Sequence, residues 1–471
     1  MKVLSPIDGS VIQDLEEMES EEVRHILRRA ASAQQRWQMV SPTDRGRVLL
    51  RAAAIIRERA DELSRLESLN TGKILADTRR EVDRAAGCFE YYAGWADKVM
   101  GRTIAVPGDF HTYTERVPHG VVAGIIPWNV PLFFAAKKFA PALAFGNASV
   151  VKPAPETPLT ALALCDILLE AGVAEDACAV VVGGAEAGAA LVGAPETKLI
   201  VFTGHPATGR VIARAASENL TPIALELGGK SPQIVFEDAD LDAAVDAIAL
   251  GVFASCGQMC IAGSRLLIHE SVAAELVERL AERTRALKLG SPFLDGTDLG
   301  PQITRAQQEK TRDFINQAVA EGGEIVAQAS LPEDPELSDG FFVQPTIFRG
   351  VSDDSRLARE EVFGPVLTVS TFADEDEAAR RANDTVFGLA AGVWTRDVVR
   401  AHRFPRRLRV GNVWINTYRV LSELVPFGGF GDSGYGRENS EEAVSLYTTT
   451  RAVWTALAPG APAGFTNTNT N

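Results

Sequence analysis

The sequence holds no apolar run long enough to cross a bilayer. Its longest, residues 121–136, is broken by Pro127, Asn129 and Pro131 and followed by Lys137 and Lys138, whereas a membrane-spanning helix needs about 20 apolar residues. The first residues lack the extended apolar core of a secretion signal. A cytoplasmic location with no membrane partner is therefore expected. Cysteine is scarce, with five in 471 residues: Cys88, Cys165, Cys178, Cys256 and Cys260. A sparse, odd set in so long a chain argues against a disulfide framework. No C-x-x-C pair is present for structural zinc, and no metal is expected. The six histidines include no motif partner for a cysteine, which disfavours a cysteine hydrolase. Positive charge is in deficit: 47 Lys and Arg against 62 Asp and Glu give −15. That balance disfavours nucleic acid as a partner. No internal repeat is present.

What remains is a soluble, globular composition, 46% hydrophobic and 23% charged, long enough for two or three domains. Apolar residues recur at helical spacing over 20–38, 44–69 and 77–99. Residues 112–117 alternate as a strand does. From residue 121 the rhythm changes. Short β-branched runs at 121–126, 149–152, 177–182, 199–203 and 222–226 alternate with helical segments at 132–143, 159–171, 185–192 and 208–218. This pattern predicts a parallel sheet with helices on both faces. Ligands on such sheets lie beyond the carboxyl ends of the strands, where Pro127, Trp128, Asn129, Lys152, Gly204 and Glu226 fall. A second α/β region begins near residue 229, with helices expected at 241–252 and 272–287 and a strand at 413–416. The tail from 457 to 471 is low in complexity and expected to be disordered.

Several segments carry chemistry. In Gly257-Gln258-Met259-Cys260-Ile261-Ala262-Gly263-Ser264-Arg265 one thiol stands among turn-forming residues, and a reachable thiolate is a strong nucleophile. Taken alone, the segment also fits one more buried thiol. In Glu226-Leu227-Gly228-Gly229-Lys230 a carboxylate ends a strand. In a dry pocket it serves as a base; alone, it reads equally well as a surface cap. Asn129 offers an amide donor suited to an oxyanion. Lys152 places an ammonium where a cofactor ribose or phosphate would lie. Thr203-Gly204-His205 leads to Gly209 at a helix start, where backbone N–H groups meet a pyrophosphate. Cys256, four residues before Cys260, reads as core packing in preference to a redox partner.

Seven segments occur together in one order: Pro127-Trp128-Asn129, Val151-Lys152-Pro153, Phe202-Thr203-Gly204, the Glu226 and Cys260 segments, residues 360–366 and residues 426–429. This set resembles the aldehyde dehydrogenase superfamily from about residue 5 to residue 452. The resemblance implies a Rossmann-like dinucleotide-binding domain (1–108 and 119–228) and an α/β catalytic domain (229–445). It also implies a small β oligomerisation hairpin (109–118 and 446–456), giving a homodimer or homotetramer. It implies that an aldehyde is oxidised to its acid with NAD, NADP being tolerated. Cys260 would be the nucleophile, Glu226 the base, and Asn129 half of an oxyanion hole. Lys138 and Glu438 would form a proton relay. Pro127, Trp128, Lys152, Pro155, Gly204, His205, Gly209, Leu227, Glu361 and Phe363 would hold the cofactor.

Two departures stand out. Pro155 and His205 occupy places where relatives often carry Glu and Ser, and a missing Glu weakens strict NAD preference. By position, the substrate tunnel would involve Val130, Phe134, Lys137, Met259, Ile261, Tyr418, Arg419, Leu421 and Phe427. Many relatives carry Trp at the position of Lys137. Two cations, Lys137 and Arg419, near one mouth suggest a semialdehyde or other anionic aldehyde. The rival readings are a coenzyme A-acylating relative and a catalytically silent binding protein of the same fold. The presence of Glu226, Cys260 and Asn129 disfavours both.

Overall fold

The computed structural model describes residues 1–457. Two mainly parallel sheets dominate it. The first has six strands in the order Gly434–Tyr435, Ile223–Glu226, Thr197–Thr203, Val121–Ile125, Ala148–Lys152 and Cys178–Val180. Five of these run parallel, and Gly434–Tyr435 pairs antiparallel with Ile223–Glu226. The expected strand and helix series is therefore present. A strand from beyond residue 229 closes the edge of this sheet, which a boundary drawn at 228/229 does not anticipate.

The second sheet has seven strands, ordered Glu324–Gln328, Thr346–Arg349, Val366–Phe372, Arg265–His269, Pro232–Val235, Ala390–Trp394 and Asn412–Ile415. All neighbours are parallel except the first pair, which is antiparallel. Residues 227–231 carry the chain from the end of one sheet into the start of the other, so Glu226 stands at the seam between them.

The helix Pro131–Ala144 lies under that seam. Pro131 occupies its first turn, where a missing N–H costs nothing. Every residue of the helix is buried, including Lys137 and Lys138. A segment apolar on all faces belongs in an interior, and each buried Phe or Leu contributes roughly 1.5–3 kcal/mol. The two lysines gain nothing of that kind, and a buried ammonium is tolerated only when paired.

Two expectations need correcting. Residues 44–69 are not one helix but two, Pro42–Glu58 and Ala60–Thr71, broken at Arg59 (φ −97°, ψ 17°). Asp61 and Glu62 fill the first turn of the second helix, where its dipole favours negative charge. The expected β hairpin is a three-stranded sheet. Phe110–Pro118 pairs antiparallel with Thr448–Ala456 along its whole length and with Thr103–Ile104 on its other edge. A lone two-stranded ribbon is only marginally stable in water, and the third strand remedies that. Leu457 still donates its N–H to Asp109 O (2.8 Å). The rest of the tail expected to be disordered, 458–471, lies outside the described residues. No helix among the described residues is long and apolar enough to cross a membrane.

Candidate active site

Cys260 sits in the loop after the helix Leu241–Phe253. Ser255, Cys256 and Gly257 are consecutive left-handed residues, with φ of 54°, 54° and 71°. A side chain at Gly257 would collide with the backbone of Gly364 and Pro365, so this turn requires glycine. The turn brings the half-buried Cys260 out at the seam, while Cys256 is buried. Burial pushes the Cys260 thiol up to about 12, and the carboxyl groups of Glu361 and Glu226 push the same way.

Asn129 reaches the same point from the end of the strand Val121–Ile125. Its amide donates to Gln258 O (2.8 Å). Gln258 is itself pinned, its amide oxygen accepting the Ile303 N–H (2.9 Å). Asn129 and Cys260 line the same cavity, and the Cys260 peptide N–H has no acceptor among the described residues. Two donors beside one thiol are what a developing oxyanion needs.

Glu226 ends the strand Ile223–Glu226 and is 4% exposed. Neither carboxyl oxygen has a hydrogen-bond partner among the described residues. Burial, reinforced by the nearby Glu438, raises its pKa well above the ordinary carboxylate range, against the pull of Lys137, Lys138 and Arg437. Behind it, Glu438 is gripped by two lysines. Lys138 contacts one carboxylate oxygen and also donates to Thr203 Oγ1 (2.9 Å). Lys137 contacts the other oxygen at 2.7 Å. Burial resists the charge on Glu438, but the two ammonium groups bring its pKa down to about 2. Lys137 was read from sequence as a free cation at the tunnel mouth. It is instead an interior ion-pair partner, because Phe427 and Glu438 exchange two backbone hydrogen bonds (2.8 and 2.9 Å) that set the carboxylate beside it.

Two cavities meet at this seam, sharing Cys260, Glu226, Leu227, Thr203 and Phe134. The first, about 220 Å³, lies over the carboxyl ends of the first sheet. Pro127, Trp128, Gly204, His205, Leu227, Glu361 and Phe363 line it. Trp128 and Phe363 meet edge to face, with centroids 5.2 Å apart, and make an aromatic wall. The Glu361 carboxylate accepts the Gly229 N–H (3.0 Å). It presses so close to Gly228 that no Cβ fits there. His205 caps the helix Pro206–Glu218, accepting the Ala207 N–H. Lys152, Pro155 and Gly209 do not line this cavity. Lys152 lies on the same rim, one strand over and buried, and Gly209 packs against Leu227 in the capped helix. An aromatic slot, a capped helix N-terminus and a rim lysine together suit a flat ring, a pyrophosphate and a ribose.

The second cavity, about 430 Å³, opens on the other side of Cys260. Val130, Phe134, Lys137, Met259, Ile261, Tyr418, Arg419, Leu421 and Phe427 all line it. Sequence reasoning missed further lining residues. Gln307 and Lys310 reach the first cavity from the helix Arg305–Ala320, and Gln307 holds the Phe363 carbonyl (2.9 Å). No motif announces them. Asp77, Arg80, Glu81 and Arg84 line the mouth of the second cavity. Their spacing puts them on one helix face.

The two cavities meet at the Cys260 thiol, the first of them over the carboxyl ends of a parallel sheet, where such sheets bind their ligands. The sequence model of the aldehyde dehydrogenase family matches residues 1–453. The chain is 42% identical to the 4-trimethylaminobutyraldehyde dehydrogenase of Oryzias latipes, over 96% of this chain and 90% of that protein. It is 44% identical to a betaine aldehyde dehydrogenase of Rhizobium etli, over 97% and 94%. Among solved structures it resembles PnpE from Pseudomonas sp. WBC-3 (TM-score 0.96, 42% identity, 98% of this chain and 96% of that one). It also resembles betaine aldehyde dehydrogenase from Staphylococcus aureus in complex with NAD+ (TM-score 0.96, 36% identity, 99% and 93%). The chain belongs to the aldehyde dehydrogenase family. It is an NAD(P)-dependent oxidoreductase that acts on aldehydes.

Proposed function

We propose that Cys260 is the residue that attacks the aldehyde and that Glu226 releases the product. The observation that carries this reading is the convergence of three groups at one seam: a thiol, an amide held beside it, and a buried carboxylate with no partner among the described residues. The Cys260 sulfur adds to the carbonyl carbon. The Asn129 amide and the Cys260 N–H hold the oxyanion so formed. A dinucleotide held along Trp128, Glu361 and Phe363 would supply the acceptor for the hydride that the carbon of the Cys260 adduct gives up. The thioester left on Cys260 is then hydrolysed by water whose proton Glu226 takes. Glu438, held between Lys137 and Lys138, provides the polar path along which that proton leaves. Lys138 and Glu438 act through Glu226 and are positioning residues.

Asn129→Ala tests the oxyanion assignment. A single donor of this kind is worth about 10²–10³ in kcat. Loss of that size with KM changed far less is the expected result of steady-state assays, and a loss confined to KM would remove Asn129 from the reaction.

Lys152 and the aromatic slot suit NAD, and Pro155 presents no carboxylate to repel a ribose phosphate. NADP is therefore expected to support turnover within about 100-fold of NAD, since like-charge repulsion costs several kcal/mol where it exists. Pro155→Glu should widen that gap at least about tenfold. Comparison of kcat/KM for the two cofactors checks this, and an unchanged ratio contradicts it.

The three-stranded sheet exposes Phe110, Trp454 and Ile104, apolar surface that a second copy of the chain would cover. A homo-oligomer working in the cytoplasm is the proposed form.

A further inference from the structure

The reading above leaves the aldehyde's tail undefined, and the second cavity constrains it. Resting on that reading, we infer that the tunnel rejects aldehydes with a cationic head group and favours those with a carboxylate.

Two of the relatives are named for betaine aldehyde and 4-trimethylaminobutyraldehyde, compounds that end in a quaternary ammonium. Proteins bind such a head against the faces of aromatic rings. In this tunnel three ring faces already carry a cation. The Lys137 ammonium lies 5.2 Å from the ring centre of Phe427 and 5.8 Å from that of Phe134. The Arg84 guanidinium covers Phe133 at 4.0 Å. Lys137 is 6% exposed and fixed on Glu438. The protein's own ammonium thus occupies the cage that a trimethylammonium group would need.

The charges along the tunnel point the same way. Two lysines share the carboxylate of Glu438, and this cluster carries one net positive charge while Glu226 is protonated. At the mouth, Asp77 is paired with Arg80 and Glu423 with Arg84 (3.1 Å), while Glu81 shares the buried Lys73 with Glu67 (3.6 Å). Arg419 has no carboxylate within ion-pair distance among the described residues. It donates only to the Leu250 carbonyl (2.9 Å) and lines the cavity. A guanidinium so placed has donors left for a carboxylate fork.

Three aldehydes of matched chain length test this on the purified full chain with NAD: glutaric semialdehyde, pentanal and 4-trimethylaminobutyraldehyde. The expected order of kcat/KM is carboxylate, then neutral, then cation. The carboxylate should exceed the cation by about 100-fold or more. Arg419→Gln should lower the ratio of carboxylate to neutral at least about tenfold, and Arg419→Lys should restore part of it. Lys137→Gln, which keeps a donor for Glu438, should raise the ratio of cation to neutral at least about tenfold. A wild-type enzyme that handles the cation as well as pentanal overturns the inference and leaves the proposed function standing. No NADH from any of the three overturns the proposed function, and this inference with it.

Discussion

Cys260→Ser is expected to lower aldehyde oxidation by about 10⁴-fold or more while NAD affinity stays within about threefold. Sulfur is the better nucleophile, and it leaves readily as a thiolate when water attacks the thioester. A hydroxyl offers neither property. In the ligand-free protein the thiol is held up to about 12, by burial first and then by Glu361 and Glu226. It is therefore protonated at neutral pH and gives its proton up to solvent water as the sulfur adds to the aldehyde. A serine hydroxyl starts from a far higher pKa and has no histidine among the cavity's lining residues near it to take its proton, His205 standing at the dinucleotide end. Affinity survives because the dinucleotide slot rests on Trp128, Phe363, Glu361 and the helix capped by His205. Steady-state rates at saturating aldehyde, with NAD titrated against the quenching of total tryptophan fluorescence, measure both quantities. A serine variant within tenfold of wild type would remove Cys260 from the reaction.

Glu226→Gln separates the two halves of the reaction. The first half ends with a thioester on Cys260 and does not need the base. One equivalent of NADH per site is expected in a rapid burst, followed by a steady rate about 10²–10⁴-fold below wild type. The pH dependence has a definite sign. Burial and Glu438 raise the pKa of Glu226 well above the ordinary carboxylate range. Below that raised pKa the group is protonated and cannot accept a proton; above it the base is free. Wild-type turnover should climb with pH across that ionisation, and the glutamine variant should lose the rise. A variant that retains both the steady rate and the pH limb would show that water is activated elsewhere.

Much of this was legible in the sequence because the chemistry sits at strand ends. Glu226, Asn129 and Lys152 each close a short β-branched run, and a parallel sheet brings such ends together whatever the loops do. Cys260 was legible from the small residues around it. The second lysine on Glu438 was not. Lys137 and Glu438 are 301 positions apart (438 − 137). Nothing local indicates that a second lysine turns inward to share the acid, so Lys137 read as a free cation. The strand Thr103–Ile104 likewise joins the sheet of Phe110–Pro118 and Thr448–Ala456 with no signal in its own sequence. Gln307 and Lys310 lie on an ordinary polar helix and become site residues only when that helix docks over Phe363.

The central claim is that an acyl group passes through the Cys260 sulfur. Glu226→Gln protein mixed with pentanal and NAD, quenched in acid within the burst and digested, measures this directly by mass spectrometry. The peptide containing Cys260 should carry one pentanoyl group, matching the NADH formed. Stoichiometric NADH with that peptide unmodified, or with the acyl group on another residue, would contradict the account.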